Sequence, residues 1–556
     1  MDPGNLSAPQ PPQTTKRPAG AGPTLPSPGA PEGRDDPAAP RGCQRALTVV
    51  WPCAVARPRG VDHPARWAEP LADPEPEATL STDPAPLPRL MRPPGPRPEA
   101  GIVHLGLGAF FRAHGALYVA RAMAVAPGPW GIIGVSLRRP DQRDRLAPQG
   151  CAYTAVELGP QGRTPRLVDV LEEVLVAPED PGAVLDRMAA PGTRIVTLTV
   201  TEKGYCHEPA TGRLNLSHPD IAHDLRHPDA PRSAPGFLVA ALARRRAVGL
   251  APFTVLSCDN LPSNGPMLRG LVLELACARD AALADWIAVQ GRFPATMVDR
   301  IVPAVTPVDI AALADETGRM DAAPVLHEPF CQWVIEDEFV PGPRPDLAAV
   351  GVELVADVAP FEAMKLRMLN GAHSALAYLG GLAGFETVAQ AVADPVLARF
   401  LRHLWVAEVA PGLTVPRGSD LAAYATVLEA RFANPAIRHL TAQIAMDGSQ
   451  KLPQRILAPL AENRAAGRPC AALTLVVAGW IAHLRATDAP QDPLAETVKA
   501  LAATAGIAAR VDGFLALRAV FPERLADDPS FRADLIAACM ALEQAGPLGA
   551  AAAALG

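Results

Sequence analysis

Two patterns of hydrophobic residues divide the chain after residue 97. From residue 98 to residue 352, short apolar runs alternate with stretches of helical period, which predicts parallel strands joined by helices. From residue 353 to residue 556 the period is helical, which predicts an all-α domain. The strands are predicted at residues 101–105 and 131–137 and in the segments 193–205 and 253–265, and the longer helices at 109–123, 234–248, 360–379, 388–410, 420–432, 436–445 and 470–484.

The first 97 residues show neither period. Proline, glycine, alanine, aspartate and arginine dominate runs such as 72–77 and 92–98. Such a segment cannot bury enough apolar surface to offset the entropy lost on ordering, so we expect residues 1–97 to be a disordered extension. The segment also lacks the apolar core of a secretory signal. A true start near Met91, with non-functional sequence before it, is an alternative.

Composition and charge exclude several classes of partner. The chain has 556 residues, 49% of them hydrophobic and 20% charged, so it can bury a large core over two domains. The net charge of −7 argues against nucleic acid, which requires a basic patch. No uninterrupted apolar run reaches the length of about 18 residues that a membrane span requires. We therefore expect a small-molecule substrate, with neither nucleic acid nor membrane, bound by a monomer or a small homo-oligomer.

The nine cysteines are scattered and form no C-x-x-C pair. This spacing is typical of reduced thiols in a cytoplasm, and it fits neither a disulfide framework nor a zinc site. We therefore expect a cytoplasmic protein that holds no metal.

A glycine turn follows the first predicted strand, in Gly106-Leu-Gly108. Strand, glycine turn and helix form the phosphate-binding unit of a Rossmann dinucleotide domain, although Phe111 stands where a third glycine would be. A purely structural strand–turn–helix is the alternative. The second strand ends in Arg138-Arg-Pro-Asp141. Asp141 is placed to bind the ribose hydroxyls of NAD, whereas the two arginines could instead bind the 2′-phosphate of NADP.

Residues 361–373 combine ionisable and apolar side chains on one predicted helix. At about 100° per residue, Glu362, Lys365, Asn370 and His373 share an arc of roughly 140°. A lysine acts as a general base once its pKa is lowered towards neutrality, and amide and imidazole donors stabilise an alkoxide. Asn260, which follows a predicted strand end, is a further candidate. A solvated polar face and a simple turn at Asn260 are the alternatives.

Several motifs in a fixed order resemble those of the polyol-specific long-chain dehydrogenases. They lie at residues 106–114, 199–205, 257–262, 297–301, 328–333 and 365–373, and the resemblance extends from about residue 98 to near the C-terminus. It implies a Rossmann domain at 98–352, a helical substrate domain at 353–556 and a metal-free, NAD-dependent reaction. The reaction would interconvert a polyol such as D-mannitol and a 2-ketose such as D-fructose.

The same resemblance assigns the catalytic roles. Lys365 would be the general base, and Asn260 with Asn370 would form the oxyanion hole. His373 would orient the substrate, and Glu362 would control proton exit from the lysine.

It also assigns binding roles. Asp299 and Lys451 would contact substrate hydroxyls. The cofactor-binding set would be Gly106, Gly108, Phe110, Arg112 and Asp141, with Asp141 favouring NAD.

Two departures leave the exact substrate open. Phe111 and Ser263 stand where members of the family usually place histidine. A hexuronate reductase of the same superfamily, acting on fructuronate or tagaturonate, is one alternative. A nicotinamide-binding sensor without turnover is another, although binding alone needs no general base. Arg402, His403 and His439 are interpreted as surface or capping residues.

Overall fold

The structure, a computed structural model, describes residues 87–208 and 211–555. The predicted disorder of residues 1–86 lies outside this part. Residues 87–97, assigned from the sequence to the same extension, lie against the α/β domain. Leu90 is buried, its N–H donates to the Met320 carbonyl at 2.8 Å, and Arg92 pairs with Glu172 at 2.8 Å.

The strands of the described residues all lie before residue 356, in the first or α/β half of this part; the residues after 355 form the second or helical half. The strands are β1 (Ala100–Leu105), β2 (Gly131–Ser136), β3 (Tyr153–Gly159), β4 (Gly162–Val168), β5 (Leu171–Val176), β6 (Ile195–Leu198), β7 (Thr254–Ser257), β8 (Thr296–Asp299), β9 (Val325–His327), β10 (Gln332–Glu336) and β11 (Glu353–Val355).

A parallel sheet with the strand order β5-β2-β1-β6-β7 forms the centre of this half. Every residue of β2, β6 and β7 is buried, which explains why these strands read as apolar runs. The order reverses next to β1, and a ligand of such a sheet binds at the carboxyl ends beside that reversal. Two smaller sheets, β4-β3-β9 and β11-β10-β8, pack around the central one.

The α-helices of the first half join and cover these strands. They span Ala109–Ala113, Gly115–Val125, Asp141–Leu146, Pro181–Ala189, Thr201–Gly204, Pro219–Arg226, Ala234–Ala247, Asn264–Arg279, Ala281–Gln290 and Pro307–Thr317, with 3-10 turns at Ala147–Gln149 and Ala348–Val350.

The second half is helical and shares one core. Its α-helices span Ala359–Met364, Gly371–Ala375, Val388–Ala393, Pro395–His403, Leu421–Phe432, Thr441–Ile444, Gly448–Leu452, Ala458–Ala465, Ala471–Ala486, Ala495–Ala502, Ile507–Leu515, Glu523–Ala526 and Pro529–Ala553. Between them lie π-helical turns at Lys365–Asn370, Leu376–Gly380, Leu404–Val409 and Pro453–Leu457 and a 3-10 turn at Ala410–Gly412. The predicted Rossmann-type domain followed by a helical domain is confirmed.

Several predicted helices differ from the observed ones. The helix predicted at 109–123 is broken at His114, where φ is −130° and ψ is −86°. The one predicted at 388–410 is interrupted because the carboxylate of Asp394 caps a new helix whose first residue, Pro395, has no N–H to continue the old one.

The helix predicted at 436–445 is wrong except for Thr441–Ile444. Backbone bonds to a neighbouring segment replace helical ones there: Val388 N–H donates to the His439 carbonyl and Thr441 N–H to the Glu386 carbonyl, each at 3.0 Å.

The last helical run, Pro529–Ala553, is long and apolar enough to cross a membrane by length and composition, but it is kinked at Gly546, where φ is +68° and ψ is 176°. It is the one helix of the described residues that meets this test. Its side chains Phe531, Leu535 and Leu542 are buried in the core of the helical half, so it also fits a core helix of a folded domain.

Candidate active site

A cleft of about 770 Å³ opens at the carboxyl ends of the parallel strands, where the strand order reverses. Its walls are loops that follow β1, β2, β5 and β6. Gly106 makes the tightest of these turns, with φ at +89°. A Cβ at this position would lie 2.3 Å from the Thr199 carbonyl oxygen, so the turn requires glycine. A cleft of this size and position suits a dinucleotide.

The structure brings part of the predicted cofactor set to this cleft. Gly106 and Asp141 line it, together with Arg138 and Arg139. The other three predicted residues, Gly108, Phe110 and Arg112, are not among the lining residues.

Arg112 is buried in the core of the α/β half. Its guanidinium donates to the Ala323 carbonyl at 2.5 Å and lies over the ring of Tyr153. These contacts give Arg112 a structural role, and its predicted contact with the cofactor stays a prediction.

A buried histidine holds the glycine turn in place. His104 Nδ1 lies 2.8 Å from Thr197 Oγ1, and its Nε2 lies 3.0 Å from Thr199 Oγ1. The ring stacks on Phe111 at 3.4 Å between centroids, and burial lowers the His104 pKa to about 3. Phe111, which departs from the family pattern, thus packs against a neutral imidazole. His104 was missed in the sequence because a single histidine within an apolar strand carries no motif.

Lys365 is buried where the two halves meet. It begins the π-helical segment Lys365–Asn370, a geometry that is rare and frequent at functional sites. Its Nζ donates to Asn260 Oδ1 and to the Val298 carbonyl, both at 2.5 Å and both in the α/β half. Burial lowers the Lys365 pKa to about 8, although the nearby carboxylate of Asp299 opposes the shift. The lysine thus has the pKa of an effective general base near neutral pH.

A small cavity of about 30 Å³ adjoins the lysine. Asn260, Glu362, Lys365, Asn370 and Gln454 are among its lining residues, so four of the five predicted catalytic residues meet there. The cavity as it stands holds little more than a water molecule.

Glu362 closes one side of this cavity. Both of its carboxylate oxygens lie 3.3 Å from the backbone nitrogen of Ser263, which donates to them from the α/β half. Burial raises the Glu362 pKa. Ser263, the second departure from the family pattern, has a left-handed backbone with φ at +48°.

His373, the fifth predicted catalytic residue, is buried beside this cavity. Its ring packs against Phe432 and His439, and its Nε2 has no hydrogen-bond partner within the described residues. Burial lowers the His373 pKa well below its usual range. A buried nitrogen without a partner is suited to a substrate hydroxyl.

His439 was predicted to be a surface or capping residue, and the structure instead places it, partly buried, against the site. It lies against His373, and burial together with the charge of Lys451 lowers its pKa to about 4. Arg402 does lie at the surface, paired with Glu429, and His403 lies 3.6 Å from the buried Glu408.

Asp299 takes part in a buried ion network. Arg431 binds its two carboxylate oxygens at 2.7 and 2.9 Å, and the same guanidinium binds Glu328 at 2.7 Å. Burial opposes the charge on Arg431, but the two carboxylates outweigh it and raise the Arg431 pKa. The network joins the two halves next to Val298, whose carbonyl accepts a hydrogen bond from Lys365. A direct contact of Asp299 with substrate hydroxyls stays a prediction.

Lys451 and Arg455 extend the site along a neighbouring helix. Lys451 Nζ donates to the Met446 carbonyl at 2.6 Å and lies 3.9 Å from Asp447. Burial and the charge of Arg455 lower the Lys451 pKa. Arg455 was not singled out in the sequence, where one arginine among 51 basic residues carries no signal.

Two family profiles match the chain over nearly all of the part described so far. The Mannitol dehydrogenase Rossmann domain matches residues 100–349, and the Mannitol dehydrogenase C-terminal domain matches residues 357–543. The chain belongs to the mannitol dehydrogenase family.

The relatives of this chain include enzymes named for two different substrates, D-mannonate and mannitol. D-mannonate oxidoreductase of Escherichia coli is 47% identical over 81% of this chain and 93% of its own length. Mannitol 2-dehydrogenase of Pyrenophora tritici-repentis is 40% identical over 81% of each chain. The structure of Pseudomonas fluorescens mannitol 2-dehydrogenase with NAD and D-mannitol matches with a TM-score of 0.75 at 37% identity, covering 85% of this chain and 97% of that one.

These comparisons confirm the resemblance seen in the sequence, and they establish an oxidoreductase of the mannitol dehydrogenase family. NAD, the predicted cofactor, is confirmed at the level of the family.

One possible metal-ligand group occurs among the described residues of this family member. Cys206, His218 and Asp220 place their ligand atoms within 4.8 Å of one another. Cys206 and Asp220 line the cofactor cleft, and Lys365 does not. Burial raises the Cys206 pKa to about 12, so the thiol is protonated near neutral pH. The expectation of a metal-free reaction stays a prediction.

Proposed function

We propose that this protein transfers hydride, without a metal, between NAD(H) and a secondary alcohol carbon of a linear, polyhydroxylated sugar derivative. The observation that carries the proposal is Lys365, a buried amine that lies 2.5 Å from Asn260 of the other half and whose pKa is lowered to about 8. A buried lysine with a tuned pKa beside two amides suits general-base chemistry more than packing.

The residues present support both directions of this reaction. When bound, the cofactor would accept or supply the hydride. In oxidation, neutral Lys365 takes the proton of the reacting hydroxyl, while the amides of Asn260 and Asn370 donate hydrogen bonds to the oxygen as it becomes negative. His373 Nε2 orients a hydroxyl. Glu362, on the cavity wall, receives the proton from the lysine, because burial raises the pKa of its carboxylate and so makes it a better proton acceptor.

Asp141 supports NAD as the cofactor. It lines the cleft at the end of β2, where a carboxylate binds the two ribose hydroxyls and repels a 2′-phosphate. Arg138 and Arg139 beside it moderate this preference.

The first candidate substrate pair is a polyol and a 2-ketose, such as D-mannitol and D-fructose. Asn260, Lys365, Asn370 and His373 offer several hydrogen bonds to a hydroxylated chain. A site of this kind rejects simple alcohols, because its own polar groups would then lose their partners. Relatives named mannitol 2-dehydrogenase, and the structure solved with NAD and D-mannitol, support this pair.

The second candidate pair is a hexuronate and the sugar acid formed when its keto group is reduced, such as fructuronate and mannonate. Two observations favour it. The relative with 47% identity is named for D-mannonate, and the substrate side of the site carries Arg455, whose pKa is not raised by any carboxylate of the described residues.

The test is the oxidation of NADH, followed at 340 nm, with D-fructose, D-fructuronate, D-tagaturonate and acetone. Turnover of at least one sugar substrate and none of acetone is expected. Binding of NADH without turnover of any of them would overturn the proposal in favour of a nicotinamide-binding sensor.

A second arm of this test concerns metal. Incubation with EDTA is expected to leave the rate unchanged, since lysine and two amides replace the electrostatics of a catalytic zinc. Activity that is lost with EDTA and restored by zinc would refute the metal-free mechanism. We also propose a cytoplasmic location, which the free thiols of all seven described cysteines support.

A further inference from the structure

Most charged groups on the substrate side of the site face a group of opposite charge, and Lys451 lies 3.9 Å from Asp447. Asp299 and Glu328 are both engaged by Arg431, and Glu362 faces Lys365. Arg455 remains without a carboxylate: its guanidinium forms no ion pair with any residue between 87 and 208 or between 211 and 555.

Electrostatic effects place Arg455 among the predicted substrate-binding groups. Its charge lowers the pKa of Lys365, of His373 and of Lys451, which belong to three different helical segments. Because the Coulomb energy falls with distance, the Arg455 guanidinium lies within electrostatic range of all three groups.

Packing supports the same position. Arg455 lies in the π-helical turn Pro453–Leu457, and its neighbour Gln454 lines the cavity beside Lys365. The helix approaches the catalytic one closely: a Cβ on Gly371 would lie 3.3 Å from the Arg455 carbonyl oxygen. Lys451 precedes Arg455 by four residues, so both side chains project from one face of the run.

A partly buried guanidinium without an ion-pair partner is a favourable site for an anion. Arg455 does not line the dinucleotide cleft, so the phosphates of the cofactor are not its partner. Guanidinium binds carboxylate through two parallel hydrogen bonds, and an ammonium group beside it adds a third donor.

We infer that Arg455, with Lys451, binds the terminal carboxylate of an acidic sugar substrate, so that the enzyme prefers a hexuronate to a neutral ketose. This inference rests on the proposed hydride transfer at Lys365 and names its substrate class. The carboxylate of such a substrate is several bonds from the reacting carbon, which matches a second point of contact on a neighbouring helix.

The test compares kcat/KM for D-fructuronate and D-fructose in the wild type, Arg455→Gln and Arg455→Lys. The wild type is expected to prefer D-fructuronate. In Arg455→Gln, kcat/KM for D-fructuronate is expected to fall about 10²-fold, mainly through KM, with D-fructose changed by less than about threefold. Arg455→Lys is expected to recover part of the loss, because it keeps the charge. Arg402→Gln, which removes an exposed arginine, is the matched control and is expected to match the wild type.

Each other outcome has a distinct meaning. A wild type that prefers D-fructose, or an equal loss on both substrates in Arg455→Gln and Arg455→Lys, would overturn the carboxylate site and leave the hydride transfer intact. A wild type that reduces neither substrate while binding NADH would overturn the proposed function itself.

Discussion

The cofactor cleft and the lysine site differ in how the chain builds them. The cleft is an open volume of about 770 Å³, walled by loops that follow successive strands. The lysine site is a cavity of about 30 Å³, and its central contact joins residues 105 positions apart, Asn260 and Lys365. Cofactor binding therefore depends on backbone shape at a sheet edge, whereas the chemistry depends on a buried environment that both halves supply.

The largest expected effect separates these two regions. In Lys365→Ala the rate of turnover should fall by about 10² to 10⁴, because the general base is lost. NADH binding, measured by fluorescence titration, should remain, since Lys365 does not line the cleft. Lys499→Ala is the control: this amine bonds to the Thr487 carbonyl in the helical half and should be replaceable without loss of rate. Near-normal turnover in Lys365→Ala would disprove the assigned base.

The second-largest effect is expected on stability, at the ion network of Arg431 that joins the α/β half to the helical half. Arg431→Met removes the ion-pair partner of two buried carboxylates, Asp299 and Glu328, which should lower the free energy of unfolding by about 3–5 kcal/mol. The measurement is urea unfolding followed by circular dichroism.

Arg402→Met is the matched control for that variant. The Arg402 side chain is 56% exposed, against 5% for Arg431, so loss of its pair with Glu429 should cost at most about 1 kcal/mol. Equal losses in the two variants would show that the buried network does not hold the halves together.

Much of the fold could be predicted from the sequence. The four predicted strand segments each overlap one strand, β1, β2, β6 or β7, because strands buried on both faces form continuous apolar runs. The segments predicted at 193–205 and 253–265 extend well past the ends of β6 and β7. Helix ends that depend on a cap, such as the one at Asp394, were missed, since local hydrogen bonds override the hydrophobic period there.

The site was predicted in part. Asn260, Glu362, Lys365 and Asn370 meet in one cavity, as expected from their motifs. The partners Arg431 and Arg455 were missed, because a single sequence does not show which distant charges meet. The π-helical turn at Lys365 was also missed, because its period differs too little from that of an α-helix to alter a short hydrophobic pattern.

The pH dependence gives a smaller, directional test of the lysine site. Oxidation requires the neutral amine of Lys365, so its rate should rise with pH up to about 8 and then level off. Below that value the rate should fall about tenfold for each pH unit. Reduction requires the protonated amine, so its rate should fall above pH 8.

The residual activity of Lys365→Ala is the control for that profile, and it should show no inflection near pH 8. An inflection that persists in this variant would assign the titration to another group.

The smallest expected effect lies in the cleft. NAD should be preferred over NADP, because the carboxylate of Asp141 bonds to ribose hydroxyls and repels a 2′-phosphate. In Asp141→Ala, kcat/KM with NADP should rise relative to NAD by about tenfold, since a charged hydrogen bond to NAD is lost and the repulsion is removed. Arg138 and Arg139 line the same cleft and would then pair with the phosphate. Asp144→Ala is the matched control, because Asp144 lies in the same short helix, pairs with Arg143 and does not line the cleft. Equal use of both cofactors by the wild type, unchanged in Asp141→Ala, would show that the loop after β2 does not select the cofactor.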